Sequence, residues 1–366
     1  MARPHLTLAA LATAAVPGID LVRVAGFSGG GDADFASALL TGRSGEHWII
    51  RLPRNQRAEA QQSADLVALR ALGEGVRERL PFAVSSYLGQ TGYQGTRAIV
   101  YRFVYGTKLG LGDLAVGPGG LADAVGGALA ALHSLQTAFV ADAGLPQLTA
   151  LDALRGAVSV VDRAAATGLV PQALLERWRL AIDDQSLWRF QPTVVNGAMS
   201  ADSLLVADGR ITGVLGWHEL RVGDPAHDLA WVLGSRREGV ADAVFDAYVG
   251  TRPGDRQIRQ RATLYAELEV ARWLLHGTDS RSTEIVDDAV EMLSGLVESV
   301  ENDVMNPLAT QRVPTAPTVA PAIAGAEEDA DGTEADGTEA DGTERVTTPG
   351  DVEDIEAFFA RAERAV

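Results

Sequence analysis

Cysteine is absent from this chain, and lysine occurs only once, at Lys108. The first absence excludes disulfides and thiolate metal sites outright, and it is compatible with a reducing, cytoplasmic setting. The second leaves arginine to supply almost all the positive charge, so no second lysine stands ready beside a phosphate group. No run reaches the roughly 20 apolar residues that span a bilayer, and a membrane partner is not expected. Positive charge of any kind is scarce. The formal net charge is −18 over 366 residues, of which −11 falls in residues 326–366 and −7 in residues 1–325. A nucleic-acid partner is therefore not expected, because binding a phosphate backbone requires concentrated basic surface. What the chain has in quantity is apolar residues, 46% of the total, enough for a core distributed over two lobes.

The N-terminus reads as an amphipathic helix with Leu8, Leu11 and Ala15 near one face and Pro17-Gly18 ending it. Arg3 followed by Leu6–Val16 also has the outline of a short signal peptide. Three extended runs follow, at Leu21–Phe27, Phe35–Leu40 and Trp48–Leu52, and read as antiparallel strands. The glycines between the first two, Gly29 and Gly30 among them, would let backbone N–H groups approach a phosphate; a plain flexible hairpin fits them equally well. A helix is predicted over about Arg57–Leu72, then strands at Pro81–Leu88 and Thr96–Tyr105. From Gly120 the period becomes helical, with Leu121, Val125, Leu129 and Leu132 on one face ahead of His133. Further helices are predicted near Leu151–Arg163, Pro171–Ile182, Gly239–Val249, Arg256–His276 and Thr283–Val300.

Beyond Asn306 the composition changes. Three prolines, Pro314, Pro317 and Pro321, precede an acidic tract in which Ala-Asp-Gly-Thr-Glu occurs three times from Ala330 to Glu344. Such a tract cannot bury enough apolar area to offset its ordering entropy and reads as a disordered linker. The last stretch, Asp351–Val366, has Ile355, Phe358, Phe359 and Ala362 at helical spacing. It reads either as a short helix docking on a protein partner or on its own domain, or as a frayed tail.

The most informative segment is Thr193–Gly234. Apolar runs at Thr193–Val195, Ser203–Val206 and Ile211–Leu215 are joined by a polar loop and by the turn Ala207-Asp208-Gly209-Arg210, whose Asp-Gly pair suits a tight hairpin. Gly223-Asp224-Pro225-Ala226-His227-Asp228 then reads as a loop entering a helix.

This segment resembles the catalytic segment of the aminoglycoside/macrolide phosphotransferase and choline kinase family, which has a protein-kinase-like fold. The shared frame comprises Gly197, Leu204, Leu205, Val206, Asp208-Gly209, Gly213-Val214, Trp217, Gly223-Asp224-Pro225-Ala226 and Asp228-Leu229-Ala230. The resemblance extends over about residues 20–300. It implies an α+β bilobal fold: a β-rich N-lobe with the N-terminal helix in residues 1–105 and a mainly helical C-lobe in 106–305. The Pro-rich and acidic linker fills 306–350, and the amphipathic tail 351–366. It further implies that Arg51 occupies the place of the phosphate-clamping lysine and that Asp65 takes the place of the acid paired with it. Val104 and Tyr105 would flank the adenine hinge, and Asp224 and Asp228 would brace the loop and helix.

The chemical positions of that frame are replaced. Asn196 stands where the family has histidine, Ala198 where it has the catalytic aspartate, Ser203 where it has the metal-binding asparagine, and Gly216 where it has the metal-binding aspartate. Phosphoryl transfer depends on positioning the hydroxyl and on oxygen ligands that hold Mg²⁺ against the phosphates. The expectation is a phosphotransferase-family pseudokinase, a non-catalytic binding, scaffold or regulatory protein with a small-molecule ligand in the cleft. The alternative is an active ATP- or GTP-dependent enzyme using Mg²⁺ to phosphorylate an antibiotic- or sugar-type hydroxyl, with Asp202 or Glu219 as a substitute acid.

Overall fold

The computed structural model describes residues 4–27, 34–117, 120–301 and 308. Gly29, Gly30, Ile355, Phe358 and Phe359, together with the linker and tail readings, lie outside the described residues.

The first helix, α1 (Pro4–Ala15), precedes strands β1 (Leu21–Gly26), β2 (Phe35–Gly42) and β3 (His47–Pro53). Helix α2 (Gln56–Ala71) and the single turn α3 (Glu74–Arg77) follow, then β4 (Ala83–Val84), β5 (Tyr87–Tyr93) and β6 (Thr96–Arg102). Five of these strands form one antiparallel sheet in the order β1-β2-β3-β6-β5. Strand alternation divides its side chains between two helices. Ala38, Leu40, Ile50, Ala98 and Val100 meet Leu8, Ala12 and Ala15 of α1. Ile99 and Tyr101 join Leu66 and Leu69 of α2, and Leu72 at its C-cap, in the main core. Where α1 ends over β5, a Cβ on Gly89 would lie 2.1 Å from the Ala15 carbonyl oxygen, so only glycine allows this approach. Asn55 starts α2 by accepting from Ala58 N at 2.8 Å.

The reading of Pro81–Leu88 as one strand is corrected. Ala83 and Val84 pair in parallel with a strand of the second lobe, and the chain returns to the first sheet only at Tyr87. Two forces account for the break. Phe82 stacks on Trp217 with ring centroids 6.5 Å apart, drawing the segment towards the lobe boundary. Arg77 donates to the carbonyls of Val84 and Ser85 at 2.8 and 3.1 Å, supplying the donors that a strand partner would otherwise provide.

The second lobe contains β7 (Thr107–Lys108), α4 (Ala122–His133), α5 (Ala138–Asp142), α6 (Ala150–Ala166) and α7 (Gln172–Asp183). The strands β8 (Thr193–Val195), β9 (Leu204–Ala207), β10 (Arg210–Val214) and β11 (Arg221–Gly223) follow. Helices α8 (Ala226–Leu229), α9 (Val240–Thr251), α10 (Ile258–Ser280) and α11 (Thr283–Glu301) complete it. A four-stranded sheet, β4-β10-β9-β7, and the pair β11-β8 carry the loops at the lobe boundary. Thr149 and Asp152 form a reciprocal capping box that starts α6. Helices α4 and α9 pack closely because Gly126 lacks a side chain; a Cβ there would lie 2.4 Å from the Val244 carbonyl oxygen. This is a kinase-like bilobal fold, with a β-sheet N-lobe and a helical C-lobe. Among the described residues no helix is long and apolar enough to cross a membrane.

Candidate functional site

Strand β8 delivers the loop that begins at Asn196, and the hairpin β9–β10 returns the chain to face it. Its turn uses Asp208 and Gly209 at φ 51° and 69°, both left-handed, as the Asp-Gly pair predicts. Beyond β10 the segment Leu215–Leu220 crosses the same boundary, and β11 pairs with β8 to close the platform.

Asp228, fully buried at the start of α8, organises the loop. Its carboxylate accepts from Asn196 N at 2.6 Å and from Gly197 N at 2.8 Å. His133 Nε2 lies 3.2 Å from the same carboxylate, while His133 Nδ1 lies 2.9 Å from the Tyr248 hydroxyl. The network is self-consistent with Nε2–H donating to Asp228 and Nδ1 accepting from Tyr248. Asp224 braces the neighbouring turn. It accepts from Arg261 Nε at 2.7 Å, from Tyr265 at 2.9 Å and from Ala226 N at 3.0 Å. Burial acts on the Tyr265 hydroxyl, and the adjacent Asp224 charge adds to it; together they push its pKa well above the ordinary tyrosine value.

Asn196 is fully buried and its side chain works on the backbone. Its amide donates to the Gly216 carbonyl at 2.9 Å, and its oxygen accepts from Ala198 N at 3.1 Å. The residue thus ties the loop to the segment carrying Gly216. Ala198 presents only a methyl group, and it is exposed. Ser203 is occupied within its own turn, its hydroxyl 3.1 Å from that of Ser200 and accepting from Ser200 N at 3.3 Å. Gly216 has φ +72°, and a Cβ built there would meet nothing within 4 Å.

These groups do not fit a Mg²⁺ ion bound between protein and phosphates. The two positions that the resemblance assigns to metal ligands, Ser203 and Gly216, offer a hydroxyl already bonded to Ser200 and no side-chain oxygen. Among the described residues no group of three or more His, Asp or Glu side chains is placed to hold a metal ion. The two alternative acids differ in their surroundings. Glu219 pairs with Arg221 Nη1 at 3.0 Å. Asp202 is exposed on the one-turn segment Ala201–Ser203. Arg221, only 13% exposed, also reaches the Gly197 carbonyl at 3.4 Å and underlies the loop.

Above this platform, Arg51 sits on β3 with its guanidinium 4.0 Å from the centre of the Phe35 ring, a cation–π contact. Asp65 faces the boundary from α2 rather than bulk water. Its Oδ1 accepts from Trp217 N at 2.7 Å, which ties α2 to the residue following Gly216. Burial raises its carboxyl pKa, while the Trp217 N–H and the charges of Arg51 and His218 pull it back. Gln61, one turn earlier, lies 3.5 Å from the His218 ring.

At the hinge, Val104 packs into the space that Gly213 leaves open, where a Cβ would lie 2.4 Å from Val104 Cγ1. Tyr105 is 45% exposed, and its hydroxyl meets His47 Nδ1 at 3.0 Å. The Tyr105 carbonyl accepts from the Thr212 hydroxyl at 2.8 Å, so one backbone acceptor of the hinge is engaged internally.

The fold therefore brings Arg51, Asp65, Asn196, Ala198, Ser203 and Gly216 around one lobe boundary, with Val104 and Tyr105 at its hinge. Sequence reasoning missed Arg221, Thr212 and the Tyr248 partner of His133. Each acts through a partner distant in sequence or on a neighbouring strand, and no local pattern marks it.

The sequence profile of the phosphotransferase enzyme family matches residues 24–277. Among solved structures, the chain is similar to the macrolide 2'-phosphotransferase MphH from Brachybacterium faecium, at 23% identity and TM-score 0.64. That match covers 79% of this chain and 97% of the other. It is also similar to the aminoglycoside 2'-phosphotransferase-IIIa solved with GDP, at 19% identity and TM-score 0.65, covering 82% of this chain and 100% of the other. A curated relative, the uncharacterized protein YcbJ of Bacillus subtilis (strain 168), is 37% identical over 60 residues. That stretch is 16% of this chain and spans only 20% of the relative's length.

Proposed function

Since the chain belongs to the phosphotransferase enzyme family, we propose that it is a pseudokinase of that family: a protein that keeps the binding cleft and does not transfer phosphoryl groups. One observation carries the reading. The position of the family's acid is a methyl group, at Ala198. Both metal-ligand positions lack a usable oxygen, at Ser203 and Gly216, yet the surrounding loop stays braced by Asp228, Asn196 and His133. Phosphoryl transfer needs the missing groups. Maintenance of a cleft does not.

The cleft is then a site for a small molecule, with Arg51 as a cationic wall and the hinge at Val104 and Tyr105. Solved neighbours described in complex with GDP, or with GDP and kanamycin, indicate which probes to use. An active enzyme working through Glu219 has less support, because Arg221 holds that carboxylate. A protein partner gripping Ile355, Phe358 and Phe359 belongs to the same reading, with the cleft-bearing domain as a scaffold.

Thermal-shift titration with ATP and GTP, with and without Mg²⁺, tests the proposal. Any nucleotide stabilisation should be independent of the metal. ATP turnover that is abolished by Glu219→Ala would overturn it. A chain ending at Gly350 should lose partner capture in a pull-down; retention of every interaction removes the docking role of the last residues.

A further inference from the structure

An open cavity of about 600 Å³ lies on the second lobe, away from the residues of the cleft. Arg252, His133, Ser134, Gln136, Gln191 and Thr193 are among the residues that line it. The cavity lies where α4 ends, where α9 ends and where the chain enters β8.

Its charge is unusual. The Arg252 guanidinium is partly buried and donates to the Tyr248 hydroxyl at 3.3 Å. Among the described residues no carboxylate forms an ion pair with it. Asp255, next along the chain, gives both side-chain oxygens to Arg261. A guanidinium held in place and left without a counter-ion matches a ligand carboxylate or phosphate, which it can take by two parallel hydrogen bonds. Beside His133, the remaining polar lining consists of hydroxyls and amides from Ser134, Thr137, Thr193, Gln136 and Gln191; the amides can donate and accept, while Ser134 already donates to the Ala130 carbonyl at 2.7 Å and is left to accept. Helices α4 and α9 both end here, and helix C-termini present carbonyl acceptors. Such a wall suits ligand hydroxyls and disfavours a second anionic group.

We propose that this cavity is a second ligand site, separate from the cleft, for a small hydroxylated anion: one carboxylate or phosphate on Arg252 and a polyhydroxylated body against the amide and hydroxyl wall. Tyr248 holds Arg252 in position, and His133 ties Tyr248 to Asp228. The site is thereby built on the same buried network that braces the Asn196 loop, and it does not depend on how the cleft is used.

Calorimetric titration of the full chain with gluconate and with glucose 6-phosphate tests this and separates the two anion chemistries. Glucose and inorganic phosphate serve as single-feature controls. At least one of the two hydroxylated anions should bind saturably, and glucose should bind about tenfold more weakly or worse, one charge-assisted hydrogen bond corresponding to roughly that factor. Arg252→Gln should weaken binding by about ten- to hundredfold on the same basis. Gln136→Trp, which fills the cavity from an exposed position, should abolish binding independently of Arg252. Hydrogen exchange should show ligand protection in residues 133–138 and 191–193. Absence of saturable binding by both anions overturns the proposal. So does equal affinity for glucose, or binding that survives Gln136→Trp.

Discussion

Replacing Asp228 with alanine would test the network that holds the candidate site together. The carboxylate accepts from Asn196 N at 2.6 Å, Gly197 N at 2.8 Å and His133 Nε2 at 3.2 Å, and it is completely buried. Each stranded buried donor costs about 1–3 kcal/mol. Part of that is recovered as the loop relaxes and water enters, so the expected loss is about 3–5 kcal/mol, as for other buried groups deprived of a partner. Urea unfolding followed by the fluorescence of the six tryptophans reads it as a lower midpoint at constant slope. Asp228→Asn keeps one acceptor oxygen but turns an amide N–H₂ towards a donor, so an intermediate loss of about 1–3 kcal/mol is expected. A loss below about 1 kcal/mol for the alanine variant, the range of an exposed ion pair, would refute the bracing role.

Other outcomes follow from the same geometry. Gly126→Ala should destabilise by about 1–3 kcal/mol, because the new Cβ would lie 2.4 Å from the Val244 carbonyl oxygen. The neighbouring Gly127→Ala meets nothing within 4 Å and should stabilise by about 0.5–1 kcal/mol, as both midpoints would show. His227 stacks on Tyr265 at 4.0 Å; burial, with the charges of Arg272 and Arg221 adding to it, lowers its pKa to about 3. The unfolded chain therefore takes up this proton first as pH falls. The contribution is fully present above about pH 6.5 and is lost progressively towards pH 3, and His227→Phe should flatten that part of a stability–pH curve. Finally, the triple change Ala198→Asp, Ser203→Asn and Gly216→Asp introduces oxygen ligands; Gly216 has open space around it but φ +72°, a left-handed conformation that aspartate tolerates better than most residues. It should create a Mg²⁺-dependent ATP thermal shift that the parent lacks; no such gain would mean that the lost groups are not what separates this cleft from a catalytic one.

Much of the fold was legible because its signals are local. The Asp208-Gly209 turn and the apolar spacing of α4 each act within a few residues. The Pro81–Leu88 segment was misread because its fate depends on Trp217 and Arg77, which compete with the strand from outside it. Asp65 shows the same limit from the other side. Its helix was readable, yet only folding brings Trp217 N to its carboxylate and makes this acid a tie between lobes.

For this protein the sequence alone determined the family frame and which atoms stand at its chemical positions, since both depend on what a side chain carries. Ala198 has no carboxylate and Gly216 no side-chain oxygen in any conformation. Tertiary structure decided what the replacements do instead. Asn196 became a bridge to the Gly216 carbonyl, Glu219 paired with Arg221, and Arg252 came to line a cavity with no carboxylate partner among the described residues. Those outcomes rest on distances between residues far apart in the chain, and hydrogen bonds and ion pairs vanish within an ångström or two of misplacement.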